Sequence, residues 1–256
     1  SASLDRIFVG AWGSFGPGLH GMVYAISRSG TPRVLGELRS EQRTGDLFYD
    51  EQADSLGLLS DEGERMIEAR ASTLTPTRIL PVPIIPGAIR YDSATHDGLF
   101  CFAAGPMRTI DGGAFMAVAF HGVPFSARPL APSSRYPWTW LALSWGCDWD
   151  SAHRNVYVTT PNLGLLTTID HASGNIQRNH FVGFGLRSVA YDSARNRLYA
   201  ANFLRGDVQA FDPETGRPLA HWFVGRFVRD LAITRDGHGL LASSTVGVIR
   251  INLDDQ

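Results

Sequence analysis

Lysine is missing from this chain; all 23 basic residues are arginine. The codon usage of a GC-rich genome is a plain account of that bias, but it has a physical consequence. Every fixed cation is a planar fork matched to carboxylate or phosphate. The net charge is only −2, which argues against a general nucleic-acid binder, since those usually carry a basic surplus. No apolar run approaches the ~20 residues that span a bilayer as a helix, and none keeps helical periodicity over a convincing length. An initiating Met and a signal peptide are both lacking, so the chain is expected to be processed or cut from something longer. Cysteine occurs twice, at Cys101 and Cys147, at a spacing that matches no metal or redox motif. Two buried thiols and a disulfide both stay open, and the redox compartment with them. No glycine-rich phosphate loop, HExxH helix or GxSxG elbow occurs.

What is present is a repeat. Tyr49-Asp50, Tyr91-Asp92, Trp149-Asp150 and Tyr191-Asp192 are followed in phase by Ile233-Thr234, at steps of 42, 58, 42 and 42 residues. The long step is the common one with 16 residues inserted. A period in the low forties points to the four-stranded antiparallel blades of a β-propeller. The repeat anchored at Tyr191 is the clearest. Its strands read as Leu186 to Tyr191, Arg197 to Asn202, Asp207 to Asp212 and Leu219 to Val224, with Pro213-Glu214-Thr215-Gly216 as the turn before the last. The same parse gives three strands at the start, four full sets of four, and three at the end. An all-β propeller of about six blades is expected, with five blades, or part of a seven-bladed ring, as alternatives. One domain over 1–256 follows, because a blade cannot bury both faces of its sheet without neighbours.

Two strings carry a family resemblance. Leu198-Tyr199-Ala200-Ala201-Asn202 followed by Gly206-Asp207-Val208-Gln209-Ala210-Phe211-Asp212-Pro213-Glu214-Thr215-Gly216 resembles the YVTN-type propeller repeats of bacteria and archaea. Arg154-Asn155-Val156-Tyr157-Val158 with Thr168-Ile169-Asp170 is a fainter copy, and the match is best over about residues 140–256. The resemblance implies a propeller and a setting outside the cytoplasm, periplasmic or extracellular. It leaves activity open, since such propellers include scaffolds, ligand binders, lyases and lactonases.

Departures from the period mark candidate binding loops. Extra residues fall around Pro106 to Gly113 and Ser133 to Trp140, and the early hairpin Gly13 to Gly21 is long. Strands alternate in direction, so the loops between second and third strands emerge on the same side as the links between blades. All three insertions are therefore expected on one rim. The second position of each first strand lies at that rim too: Gly45, Gly87, Trp145, Arg187 and Arg229. With Arg205 nearby, the channel mouth is expected to be cationic and aromatic, able to hold an anionic group or an acidic partner segment. Arg108, Arg135, Trp138 and Trp140 extend this candidate surface. The competing reading pairs the arginines with Asp46, Asp230 or carbonyls to hold blades together, and buries the tryptophans between blades.

The eight histidines are spread over different repeats, and no spacing suggests a zinc site. The lactonases among such propellers hold an axial calcium ion, for which Asp46, Asp230 and Asn202 are the candidates here. No catalytic residue, resident metal or cofactor is expected. The function expected is a non-catalytic platform that contacts another protein or an anionic ligand through the insertion-bearing rim, alone or within a larger assembly. The alternative is a propeller hydrolase or lyase with a channel-mouth, calcium-assisted site.

Overall fold

A computed structural model describes residues 4–11, 21–27, 29–31, 33–40, 44–60, 65–81, 88–92, 94–101, 114–121, 126–150, 152, 154–234 and 236–254. The first sheet holds β1 (Arg6–Ala11), β2 (Gly21–Ser27) and β3 (Val34–Ser40). The second holds β4 (Thr44–Asp50), β5 (Ser55–Ser60), β6 (Arg65–Arg70) and β7 (Thr75–Pro81). The third runs through β8 (Ala88–Asp92), β9 (Asp97–Cys101), β10 (Ala117–His121) and β11 (Ser126–Leu130). A short 3-10 helix, Pro137–Leu141, precedes the fourth, made of β12 (Gly146–Trp149), β13 (Asn155–Thr160), β14 (Leu165–Asp170) and β15 (Ile176–Phe181). The fifth has β16 (Leu186–Asp192), β17 (Arg197–Asn202), β18 (Asp207–Phe211) and β19 (Pro218–Phe223). The sixth has β20 (Asp230–Ile233), β21 (Gly239–Ser244) and β22 (Gly247–Asn252). Each sheet is a meander in chain order, and the fold is a six-bladed β-propeller. The described residues form two compact units, one within 4–100 and 119–128, the other within 101, 114–118 and 129–254.

The repeated dipeptide sits where the period puts it. Tyr49, Trp149, Tyr191 and Ile233 end their first strands in one register, opposite Leu56, Val156, Leu198 and Leu240 respectively. The acid that follows caps the turn to the second strand. Asp50 Oδ1 accepts the N–H of Gln52 and Ala53, both at 3.0 Å. Asp192 Oδ1 accepts those of Ala194 and Arg195 at 3.0 and 3.2 Å. The fifth residue after the aromatic then takes a left-handed backbone, at Asp54, His96 and Asn196, which are residue types enriched in that region. The third-to-fourth turns use the same device: Asp212 accepts Glu214 and Thr215 N–H at 2.9 and 2.8 Å, and Gly216 follows at φ +67°. The recurring Asp is thus a turn-former.

The cores lie between adjacent sheets, as a repeat of this kind requires. In the first unit, Val23, Ala25 and Leu38 pack on Leu56, Leu58, Ala69 and Leu74. In the second, Tyr157 and Leu166 meet Leu186, Val189, Leu198 and Phe211, and Tyr199, Val208 and Ala210 meet Leu231, Leu240 and Ile251. Carboxylates also tie neighbouring first strands together. Asp46 accepts the Leu47 N–H at 2.8 Å and the Ile89 N–H at 2.9 Å. Asp148 accepts those of Trp149 at 2.9 Å and Tyr191 at 2.7 Å. Within the second unit, buried Cys101 and Cys147 form a disulfide with their Cα atoms 5.8 Å apart.

The segment Ser133 to Trp140 forms no strand. Trp138 and Trp140 lie in the 3-10 helix. Pro137 stands in its first turn, where a fixed φ and a missing N–H cost nothing.

Candidate functional site

Three in-phase positions of the second unit meet at the starts of first strands. Arg187 is the second residue of β16; Trp145 and Arg229 immediately precede β12 and β20. The Arg187 guanidinium carbon lies 4.5 Å from the centre of the Trp145 ring and 4.9 Å from that of Phe203. These two rings meet edge to face, 6.3 Å apart at 87°, and Phe227 extends the wall at 5.1 Å from Phe203. A cation so placed between aromatic faces gains roughly 0.5–2 kcal/mol. Burial lowers the pKa of Arg187 from its ordinary value, and the charge of Arg229 pushes the same way against the opposing pull of Asp230. Among the described residues no carboxylate pairs with the Arg187 guanidinium. The Trp145 indole N–H is likewise buried without an acceptor among them.

The surrounding backbone holds this cluster in place. Gly185 N–H donates to Pro161 O and Phe203 N–H to Gly185 O, each at 2.9 Å, and Phe227 N–H donates to Phe203 O at 2.7 Å. Asn202 braces the same corner: its Nδ2 donates to Phe184 O at 2.7 Å, and its Oδ1 accepts Leu204 and Arg205 N–H at 3.2 and 3.0 Å. A side chain at Gly185 would meet the Asn202 amide at 2.9 Å, and its φ of +89° already favours glycine.

The other anticipated residues divide. Arg205 is exposed in the turn between β17 and β18 and reaches buried Asp207 at 2.8 Å, an acid that His221 also contacts at 3.0 Å. Arg229 is exposed, and its N–H donates to Ser243 O at 2.9 Å. Arg135 goes elsewhere, donating to the Asn175 side chain in the turn between β14 and β15. Trp140 is exposed and Trp138 half-buried on the 3-10 helix. Arg108 lies outside the described residues. The oxygens considered for calcium are already engaged: Asp46 and Asn202 as above, and Asp230 by Ser188 Oγ at 3.0 Å and Leu231 N–H at 2.9 Å. No cluster of metal-binding side chains occurs among the described residues.

Sequence reasoning missed Phe203 and Phe227. Their in-phase partners are Pro161 and Thr245, and Gly185 and Leu143, so the period carries no aromatic signal there. It also missed a pocket of about 310 Å³ in the first unit, lined by Phe48, Asp50, Glu68, Tyr91, His96 and His121 among others. There the Tyr91 hydroxyl donates to Asp50 Oδ2 at 2.8 Å, and His96 Nδ1 lies 3.1 Å from both groups.

No protein-family model matches the chain, and no curated protein is similar to it in sequence. Solved structures do resemble it. The β-propeller domain of Cps50 (Swd1) from Myceliophteria thermophila has a TM-score of 0.65 at 11% identity, covering 96% of this chain and 85% of that one. Hydrazine synthase of Kuenenia stuttgartiensis gives 0.58 at 9% identity over 92% and 90%. The dihydro-heme d1 dehydrogenase NirN gives 0.61 at 12% identity, over 96% of this chain and 54% of that one. At such identities the likeness establishes one thing, that this chain has the six-bladed β-propeller fold.

Proposed function

We propose that this chain is a non-catalytic propeller of the YVTN type that docks another protein or an anionic ligand on the rim carrying Trp145, Arg187, Phe203, Phe227 and Arg229. One observation carries the reading: the Arg187 cation is half-buried between two rings and makes no ion-pair contact with a carboxylate among the described residues, Asp230 acting on it only from a greater distance. Taking a cation out of water costs free energy that ring faces offset only in part. An arriving anion completes the balance through a bidentate contact.

The enzymatic alternative gains little from the Asp50–Tyr91–His96 trio. Tyr191 repeats the arrangement two junctions on, where its hydroxyl bonds the Asn196 amide oxygen at 3.0 Å instead of an acid and a histidine. Calcium gains nothing from Asp46, Asp230 and Asn202, whose oxygens already serve the backbone. The fold does not choose either, since its neighbours include a Cps50 propeller domain and proteins named for enzymes. The disulfide supports a periplasmic or extracellular setting.

The test is titration with polyglutamate, comparing the wild type with the double variant Arg187→Ala, Arg229→Ala. The variant should fold normally and bind about tenfold or more weakly, the size expected for a lost charged contact. Equal binding by a folded variant would refute the proposal.

A further inference from the structure

Large apolar side chains on this end recur at the same places in successive repeats. Phe181 and Phe223 each end the last strand of a sheet and are 67% and 72% exposed. Leu204 and Val246 each sit in the turn between second and third strands and are 65% and 71% exposed. Both pairs are separated by one repeat of 42 residues. Phe184 adds to the surface, its ring 5.5 Å from that of Phe181 and edge on. Among the exposed large hydrophobics of β15 to β22, all but Leu219 belong to this end. Isolated exposed apolar residues need no explanation, whereas a contiguous set marks a contact surface.

Cations outnumber acids around this set. Arg205, Arg226 and Arg229 lie on the same turns and links, and Arg187 at the start of β16, in a chain whose net charge is −2. Of the nearby acids, Asp207 is buried against Arg205 and His221, and exposed Asp230 bonds Ser188 through one oxygen. The apolar positions and the recessed cation lie on corners that the backbone bonds described above pin together.

We infer that this end of the fourth to sixth sheets docks an extended, acidic segment of a partner protein, which sets large apolar side chains on the repeated Phe181/Phe223 and Leu204/Val246 positions and one carboxylate against Arg187. This rests on the platform reading and specifies the partner. A protein segment fits better than a bilayer because Arg187 is recessed between Trp145 and Phe203. A carboxylate on a projecting side chain reaches such a cation, while a plane of headgroups would stop at the exposed Arg205, Arg226 and Arg229. A repeated pair of apolar anchors likewise suits a ligand that is itself extended along successive sheets.

Fluorescence polarisation with labelled dodecapeptides tests this. An alternating Glu/Leu peptide should bind, a Lys/Leu peptide should not, and a Glu/Ser peptide should bind about tenfold more weakly than Glu/Leu. Phe181→Ser with Phe223→Ser, both on the surface, should cause a comparable loss on Glu/Leu and none on Glu/Ser. Arg187→Ala should weaken both acidic peptides. Equal binding of the two acidic peptides, with loss only on Arg187→Ala, would overturn the apolar anchors and leave the anion site standing. Failure of both acidic peptides, or binding indifferent to every variant, would sink both readings. Two other outcomes would replace the inferred occupant: binding to phosphatidylcholine–phosphatidylserine vesicles without peptide binding, or self-association abolished by the phenylalanine changes.

Discussion

Reduction of the Cys101–Cys147 bridge should lower the melting temperature by an amount that the chain separation sets. The two residues are 46 apart in sequence. In the chain-entropy treatment, closing such a loop removes about 13.5 cal/mol/K from the unfolded ensemble, or about 4 kcal/mol at room temperature. A chain of 256 residues gains roughly 0.54 kcal/mol/K of entropy on unfolding, so 4 kcal/mol corresponds to about 7 °C. Both cysteines are fully buried, and after reduction their thiols remain as small apolar groups that pack without a new polar penalty. The assay is calorimetry with and without a phosphine reductant, alongside Cys101→Ala, Cys147→Ala. The wild type should fall by about 7 °C on reduction, and the double variant should melt near the reduced protein and ignore the reductant. Two free thiols in the oxidised, unfolded wild type, or a melting point indifferent to reduction, would refute the reasoning. Either would also remove the support for an oxidising compartment.

Two further outcomes follow from the carboxylates. Asp148→Ala deprives the Trp149 and Tyr191 N–H groups of a charged acceptor and should cost about 3 kcal/mol in urea unfolding; Asp148→Asn keeps one acceptor and should cost about half, and a loss below about 1 kcal/mol for the alanine variant would show that the clamp is incidental. For Asp50, burial raises the pKa, but the Ala53 N–H, the Tyr91 hydroxyl, His96 and the Gln52 N–H outweigh it, leaving the group below its ordinary 3.8. A carboxyl depressed in the folded state adds stability above its unfolded pKa and loses it as pH falls through the folded value. Wild type should therefore lose stability below about pH 4 more steeply than Asp50→Asn, and parallel curves would disprove the linkage.

The fold was readable because its turns are built from short local signals. An aromatic followed by Asp ends a first strand and caps the next turn, and Asp-x-x-Thr/Ser-Gly does the same before a last strand; both can be seen in one dimension. Arg187, Arg229 and Trp145 were readable for the same reason, since phase alone puts them at equivalent strand starts. Phe203 and Phe227 were not, because what brings them onto Arg187 is the approach of three neighbouring sheets, and no repeated residue marks those positions. Arg135 shows the converse. It belongs to an insertion, but its guanidinium reaches the Asn175 turn, so membership of a long loop did not predict where the side chain would go. Trp138 and Trp140 alternate like strand residues, yet Pro137 starts a helical turn that overrides the alternation.

The shared carboxylates at Asp46 and Asp148 bear on how the molecule comes apart. Each oxygen pair serves its own strand and the strand that follows by 43 residues. A sheet that peeled away alone would leave a half-buried ionised oxygen without its donor and strip an amide of its partner in the sheet left behind. Independent fraying, the ordinary hazard of modular arrays, is thereby penalised at the innermost strands, so neighbouring modules are made to melt together.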